Sequence, residues 1–243
     1  MLKVPFGRVG NKTRILRELL ELIPEHDLYV EAFVGSGALF FNKEPVKSIL
    51  NDTDEDVVYR LKLLKKVPLF ENPRKKYTIH EIKELFDKPI RTLEDAVIHE
   101  KIKTQGGFAG KPITKSSQIY HSFTPYIVAD NLPEYKHLLS HATITQKDYK
   151  DILKKYDSPT TFFFLDPPYE NTSSDFYNDT IINYEEMRDL LRNLQGWFLL
   201  TLNDSPYIRK VFKEFNIQPI QVNTELKKNN SRTRNELIIR NYS

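Results

Sequence analysis

The sequence predicts an α/β protein. Its expected architecture is an open, mostly parallel, twisted sheet of about seven strands, with a mainly helical subdomain inserted. Three observations predict it. Short β-branched and aromatic runs alternate with amphipathic helical stretches, as in a sheet wound through crossover helices. Two runs, Thr160 to Leu165 (TTFFFL) and Trp197 to Leu202 (WFLLTL), are continuously apolar, as expected of strands covered on both faces. Residues 66–139 break this regularity, with six of the 14 prolines, the run Gly106-Gly107-Phe108-Ala109-Gly110 and no long apolar strand.

Taken in order, Thr13 to Leu22 has helical periodicity, with Ile15, Leu16, Leu19, Leu20 and Ile23 on one stripe, and Pro24 ends it. Leu28 to Val34 (LYVEAFV) is a strand that runs into Gly35-Ser36-Gly37, after which Ala38 to Phe41 reads as a helix start. Lys47 to Leu50 is a short strand ending in Asn51-Asp52, and Asp54 to Leu64 is an amphipathic helix. The insert holds polar helical stretches such as Ile79 to Phe86. Ala142 to Thr145 and Thr160 to Leu165 restore the strands, with helices expected at Tyr184 to Leu194 and Pro206 to Phe215. Gln218 to Asn223 and Glu236 to Arg240 read as the last strands, joined by a polar loop. The catalytic domain is thus expected at 1–65 and 140–243, with the insert at 66–139.

Composition narrows the function classes. The chain has 243 residues, 40% hydrophobic and 28% charged, enough for one large core plus an inserted subdomain. It contains no cysteine, which excludes disulfide scaffolds, thiolate metal sites and Cys nucleophiles. Of the six His only His137 and His141 stand four apart, and with no Cys to complete a ligand set no metal is expected. No apolar run reaches the length of a membrane span, and the N-terminus lacks a secretion-type apolar core. An intracellular protein, cytoplasmic or nucleoid-associated and without a membrane partner, is expected. The net charge of +3 is unevenly spread. Arg60 to Arg91 carries ten basic residues against four acids, and Glu225 to Arg240 five against two. Asp148 to Asp189 carries ten acids against four basic residues. Such segregation suits a polyanionic partner on some faces, although solvated helices produce it too.

In open α/β sheets ligands sit beyond the carboxyl ends of the strands, and three marked sequences fall there. Gly35-Ser36-Gly37 lets a ligand approach the backbone, although the third glycine of a dinucleotide fingerprint is Phe40. Asp52, 17 residues after Gly35, can accept both hydroxyls of a ribose, or can serve a turn. Asp166-Pro167-Pro168-Tyr169 is the most specific feature. Two prolines after a buried strand fix the backbone and remove two N–H donors. What remains is a rigid rim of carboxylate, carbonyls and an aromatic ring, the set an exocyclic amine on a planar base requires.

Asp166-Pro167-Pro168-Tyr169 together with Phe33-Val34-Gly35-Ser36-Gly37 resembles the S-adenosylmethionine-dependent DNA adenine-N6 methyltransferases. Pro5-Phe6 followed by Gly10-Asn11-Lys12 resembles the extra cofactor motif that one subgroup, the DNA adenine methylase type, carries first. The resemblance covers nearly the whole chain and implies a Rossmann-like methyltransferase fold with S-adenosyl-L-methionine as cofactor. It implies that Arg8 and Lys12 lie on the cofactor side, with Lys12 at the methionine end. It further implies that Gly35, Ser36 and Gly37 form the cofactor turn and that Asp52 binds the ribose. Asp148-Tyr149 would meet the adenine ring of the cofactor, and Asp166 would touch both cofactor and target base. Asn203-Asp204 resembles a further position near the pocket. Arg8 stands where the family often has an aromatic residue, and Gly10-Asn11-Lys12 replaces its usual GGK.

The implied activity is site-specific methylation of adenine N6 in double-stranded DNA. Asp166 and the carbonyl of Pro167 would accept from the amine, Pro168 would stiffen the rim and Tyr169 would stack on a flipped base. Lys227, Lys228, Arg232 and Arg234 suit phosphate contacts, and Gln105 in its glycine-rich loop suits base reading. A functionally paired restriction endonuclease is one expected partner. Other amino-group methyltransferases, acting on cytosine-N4, RNA or a protein amide, are the alternative, as is a DNA-binding relative without catalysis.

Overall fold

The structure is a computed structural model and describes residues 1–6, 12–68, 84, 89, 91–93, 95–96, 131–169, 182–225 and 231–243. The strands among them are β1 (Leu28–Glu31), β2 (Ser48–Asn51), β3 (Ala142–Thr145), β4 (Thr161–Leu165), β5 (Trp197–Asn203), β6 (Asn216–Glu225) and β7 (Ser231–Arg240). They form one sheet in the order β3-β2-β1-β4-β5-β7-β6. The first five are parallel, and β7 lies antiparallel between β5 and β6. This is the expected seven-stranded, mostly parallel, Rossmann-like methyltransferase sheet. Pro219 is accommodated because β6 is an edge strand, where a missing N–H breaks no central ladder.

The helices are α1 (Leu16–Glu21), α2 (Glu55–Lys66), α3 (Leu132–Ser140), α4 (Tyr149–Tyr156), α5 (Tyr184–Arg192) and α6 (Pro206–Val211). Side chains alternate across each strand, so the apolar runs feed two cores at once. Tyr29, Phe162 and Phe164 face Leu16 and Leu19 of α1, Leu61 and Leu64 of α2, and Tyr135 of α3. Val30, Phe163 and Leu165 face Ile152 of α4, Met187 and Leu191 of α5, and Ile208 of α6. Double coverage is why the central strands tolerate no polar alternation.

Four elements depart from the sequence reading. The turn after Gly35-Ser36-Gly37 opens no full helix but a single turn ending in the 3-10 segment Phe40–Asn42. Asn42 sends its amide to the carbonyls of Ala38 and Leu2, and Pro45 follows three residues later. Helix α3 lies within the expected insert, yet its Leu132, Tyr135 and Leu139 sit in the same core as the sheet. Helix α4 occupies a stretch left without an element, capped by the Asp148 side chain on the Lys150 N–H. Strand β7 begins at Ser231, so Arg232 and Arg234 belong to a paired strand rather than to a connecting loop. Sequence reading stops strands at polar residues, but the backbone ladder with β6 continues through them.

Candidate active site

At the mouth of β1 and β2 the glycine turn is fixed from both sides. Gly35 and Gly37 take φ of 47° and 66°, the left-handed region that side chains disfavour. A Cβ on Gly37 would come to 3.0 Å from the Phe41 ring. Asp52, nearly buried, accepts the Gly35 N–H at 2.9 Å through Oδ2 and the Asp54 N–H at 3.0 Å through Oδ1. Asp52 therefore braces the turn, at the strand end where a ribose acceptor is expected.

The neighbouring Asn51 was noticed only as a strand end. Fully buried, it donates to the carbonyls of Ala32 and Lys147 and accepts from the Lys147 N–H and the Thr145 hydroxyl, all within 3.0 Å. It thereby ties the ends of β1, β2 and β3 together and sets where Asp148 and Tyr149 begin α4. Asp148 is exposed and its cap bond uses Oδ1. Tyr149 is buried, and its ring lies 5.2 Å from that of Phe33. Its hydroxyl is buried without a hydrogen-bond partner among the described residues, and burial, with Glu186 and Asp148 nearby, pushes its pKa up to about 12. A neutral phenol beside a glycine turn and an aromatic ring is a fitting wall for a nucleoside.

The second half of the site lies beyond β4. Asp166 follows the buried strand, and its Oδ1 accepts from Lys12 Nζ at 2.7 Å and from Thr201 Oγ1 at 2.9 Å. Lys12 is buried in the 3-10 turn Lys12–Arg14 that leads into α1. Its Nζ also stands 3.9 Å from Glu236 of β7. Tyr184, first residue of α5, donates its hydroxyl to the Pro168 carbonyl at 2.7 Å, which secures the proline pair from below. Pro167 is buried. Tyr169 is half-buried and donates to Glu236 Oε2 at 2.8 Å. Burial, then the charges of Asp166 and Glu236, hold its pKa well above the ordinary phenol value, so it remains a donor. Lys12 Nζ and Arg234 Cζ each lie 4.9 Å from its ring centroid.

Glu31, last residue of β1, completes the floor. It is buried, accepts from the Tyr29 hydroxyl at 3.1 Å, and its pKa is raised well above the carboxylate range, first by burial and further by the Asp166 charge. An acid in the middle of the otherwise apolar run Leu28 to Val34 is the signal the sequence offers for it. Glu236 and Thr201 carried no such signal, since each looks like an ordinary strand residue. Asn203 ends β5 opposite Glu236, and its Oδ1 is buried without a partner among the described residues. Asp204 is committed elsewhere: Arg209 holds it at 2.6 and 2.9 Å, which lowers its pKa.

The structure thus gathers Lys12, Asp166, Pro167, Pro168 and Tyr169 in one cluster, and Gly35, Ser36, Gly37 and Asp52 in another. Tyr149 lies beside the second through Phe33. Arg234, expected at phosphates, stands over Tyr169 and 3.7 Å from Glu236. Arg8, Gln105, Lys227 and Lys228 lie outside the described residues, as does the side chain of Arg232. Among the described residues no group of three or more His, Cys, Asp or Glu could hold a metal, and no helix is long and apolar enough to cross a membrane.

A Rossmann-like methyltransferase sheet, a braced glycine turn and an Asp-Pro-Pro-Tyr rim define an amino-methyltransferase class of enzyme. Residues 9–96 and 112–226 match the D12 class N6 adenine-specific DNA methyltransferase family, and the chain belongs to it. It is accordingly a site-specific, adenine-specific DNA methyltransferase. It is 26% identical to the Type II methyltransferase M1.LlaDCHI of Lactococcus lactis subsp. cremoris over 98% of this chain and 95% of that one. Among solved structures, yhhF of Escherichia coli is similar at 13% identity and a TM-score of 0.46, covering 100% of this chain and 92% of that one. SMU.1697c of Streptococcus mutans, solved in complex with SAH, is similar at 9% identity and a TM-score of 0.39, covering 95% of this chain and 99% of that one.

Proposed function

We propose that the enzyme uses S-adenosyl-L-methionine and methylates an adenine turned out of a short, specific duplex sequence into the Asp166-Pro167-Pro168-Tyr169 rim. The observation that carries this reading is the Asp166 carboxylate, held at Oδ1 by Lys12 and Thr201 directly beyond a buried parallel strand.

The residues fit the cofactor. The braced turn of Gly35, Ser36 and Gly37 offers open backbone, Asp52 has acceptor capacity for a ribose, and Phe33 with Tyr149 offers aromatic surface for a purine. The Tyr149 hydroxyl, buried without a partner among the described residues, offers a polar contact to such a ligand. Arg8 and Lys12 stand on the methionine side in this reading, and Asp148 beside the purine. When bound, the cofactor supplies an electrophilic methyl carbon on a sulfonium sulfur.

The lone pair of adenine N6 is delocalised into the ring, so the amine is a poor nucleophile. Asp166 and the Pro167 carbonyl accept its two N–H groups and favour a pyramidal nitrogen whose lone pair is localised. Both contacts recorded for Asp166 among the described residues fall on Oδ1, so Oδ2 retains acceptor capacity for the amine. Tyr169 replaces part of the stacking lost on flipping, and Pro168 keeps the rim rigid. Positioning supplies most of the rate.

Residues 66–139 form the target-recognition part, with Gln105 a base reader. Lys227, Lys228, Arg232 and Arg234 contact phosphates. The Type II naming of the Lactococcus relative supports pairing with a restriction endonuclease, and DNA as substrate supports an intracellular setting. The test is transfer of labelled methyl from S-adenosyl-L-methionine to defined duplexes, with N6-methyladenine identified in the digest. Parent enzyme should label one duplex sequence and Asp166→Ala none. Label on cytosine, RNA or protein instead would reject the reading.

A further inference from the structure

We propose that Glu236 is a positioning residue for methyl transfer: it fixes the Tyr169 ring through the phenol hydroxyl and divides Lys12 between itself and Asp166. The inference rests on Asp166 to Tyr169 being the base site.

Strand β7 is antiparallel to β5, so its first half returns to the mouth formed by the carboxyl ends of β4 and β5. Glu236 pairs with Asn203 there, at the last residue of β5. Side chains of a strand alternate between faces, which sends Leu237 and Ile239 into one core and Ile238 into the other. Glu236 shares the face of Ile238 but replaces an apolar side chain with a carboxylate that is 5% exposed. Burying a charge at this place costs stability, and hydrophobic residues of similar size commonly do as well or better. The partners indicate what the charge serves. Glu236 Oε2 accepts from Tyr169 at 2.8 Å and stands 3.9 Å from Lys12 Nζ, and Oε1 lies 3.7 Å from Arg234 Nε.

Two consequences follow. The anchored hydroxyl fixes where the tip of the Tyr169 ring lies, and with it the χ1 well of the side chain, while Lys12 and Arg234, each 4.9 Å from the ring centroid, limit its turning about χ2. Lys12, 2.7 Å from Asp166, competes with the substrate amine for that carboxylate. A second anion beside it moderates that competition.

The experiment compares Glu236→Ala, Glu236→Gln and Tyr169→Phe, singly and combined, in single-turnover methylation with saturating duplex and cofactor. Folding is checked by circular dichroism and cofactor affinity by calorimetry, and Glu236→Met substitutes for Glu236→Ala if the latter does not fold. Glu236→Ala is expected to slow methyl transfer about tenfold or more while cofactor affinity changes less than about threefold. Glu236→Gln keeps an acceptor for Tyr169 but not the anion beside Lys12, and should recover the part of that loss that runs through the ring. In the Tyr169→Phe background, Glu236→Ala should add less than in the parent background, because only the route through Lys12 remains. A duplex carrying 2-aminopurine at the target should show a changed fluorescence amplitude with Glu236→Ala and little change with Glu236→Gln. Equal losses in both backgrounds, or an unaltered rate with Glu236→Ala, would overturn the assignment. Asp166→Ala is run beside them: if it retains turnover, the base site itself is wrong, whereas an inactive Asp166→Ala with additive Glu236 effects rejects only the role of Glu236.

Discussion

At the mouth of β1 and β2, backbone groups do most of the holding. Asp52 takes the N–H groups of Gly35 and Asp54, and Asn51 takes those of the β3–α4 connection. At the mouth of β4, β5 and β7, side chains hold side chains: Lys12 to Asp166, Thr201 to Asp166, Tyr169 to Glu236. In the proposed reading the first half is a preformed cradle for the cofactor, and the second is a charge network that meets the base. Backbone-held sites should lose affinity or stability when damaged, and side-chain-held sites should lose rate.

The largest expected effect tests the second half. Asp166→Ala removes both the amine acceptor and the partner of a buried lysine, and methyl transfer should fall at least on the order of 10²–10³-fold. Asp166→Asn should preserve the fold better than the rate. A radiometric assay paired with thermal melting separates the two, and a variant that melts early yet turns over normally would remove the contrast between the halves.

Asp52→Ala tests the first half and should act on binding. Loss of ribose contacts and loosening of the Gly35 turn should together weaken S-adenosyl-L-methionine by roughly 1–3 kcal/mol in calorimetry. Turnover at saturating cofactor should change much less. A rate loss that saturating cofactor does not restore would mean that the glycine turn also positions the reacting atoms.

Gly37→Ala sharpens the same half without touching a charge. Its φ of 66° and the Phe41 ring 3.0 Å from the added Cβ predict a stability loss of about 1–3 kcal/mol. Denaturant unfolding measures it. A parent-like midpoint would show that the turn relaxes, and hence that the cradle is less rigid than its hydrogen bonds suggest.

The smallest effect is a pH dependence behind β1. His26 Nδ1 lies 2.7 Å from the Pro24 carbonyl, so the proton sits on Nδ1 and the buried Nε2 has no partner among the described residues. Burial lowers its pKa below the ordinary 6.5, with Lys43 adding to the effect. The unfolded chain then binds that proton at a higher pH than the folded chain. Stability present above about pH 6.5 is lost as pH falls through the folded value. The melting-temperature drop on acidification should therefore shrink in His26→Gln. An unchanged drop would assign the acid sensitivity to carboxylates instead.

Much of this molecule is written locally. TTFFFL and WFLLTL declare central strands because only double coverage makes a continuous apolar run stable, and the glycine pair declares a turn that side chains would strain. Asp166-Pro167-Pro168-Tyr169 declares a rigid polar rim within four residues. Each is a short-range property, so the sequence alone determined the central strands, the glycine turn and the Asp-Pro-Pro-Tyr loop, and its resemblance to adenine methyltransferases pointed to the family. What tertiary structure decided has long range. Lys12 reaches Asp166 across 154 positions only because α1 packs on the face where β4 ends. Glu236 reaches Tyr169 only because β7 runs backward between β5 and β6, a reversal that pairing partners fix and that no local pattern encodes. Arg234 reads locally as part of a connecting loop for the same reason: strand ends are set by the ladder available across the gap, here Val222 opposite Arg234, and not by the polarity of the residues that enter it.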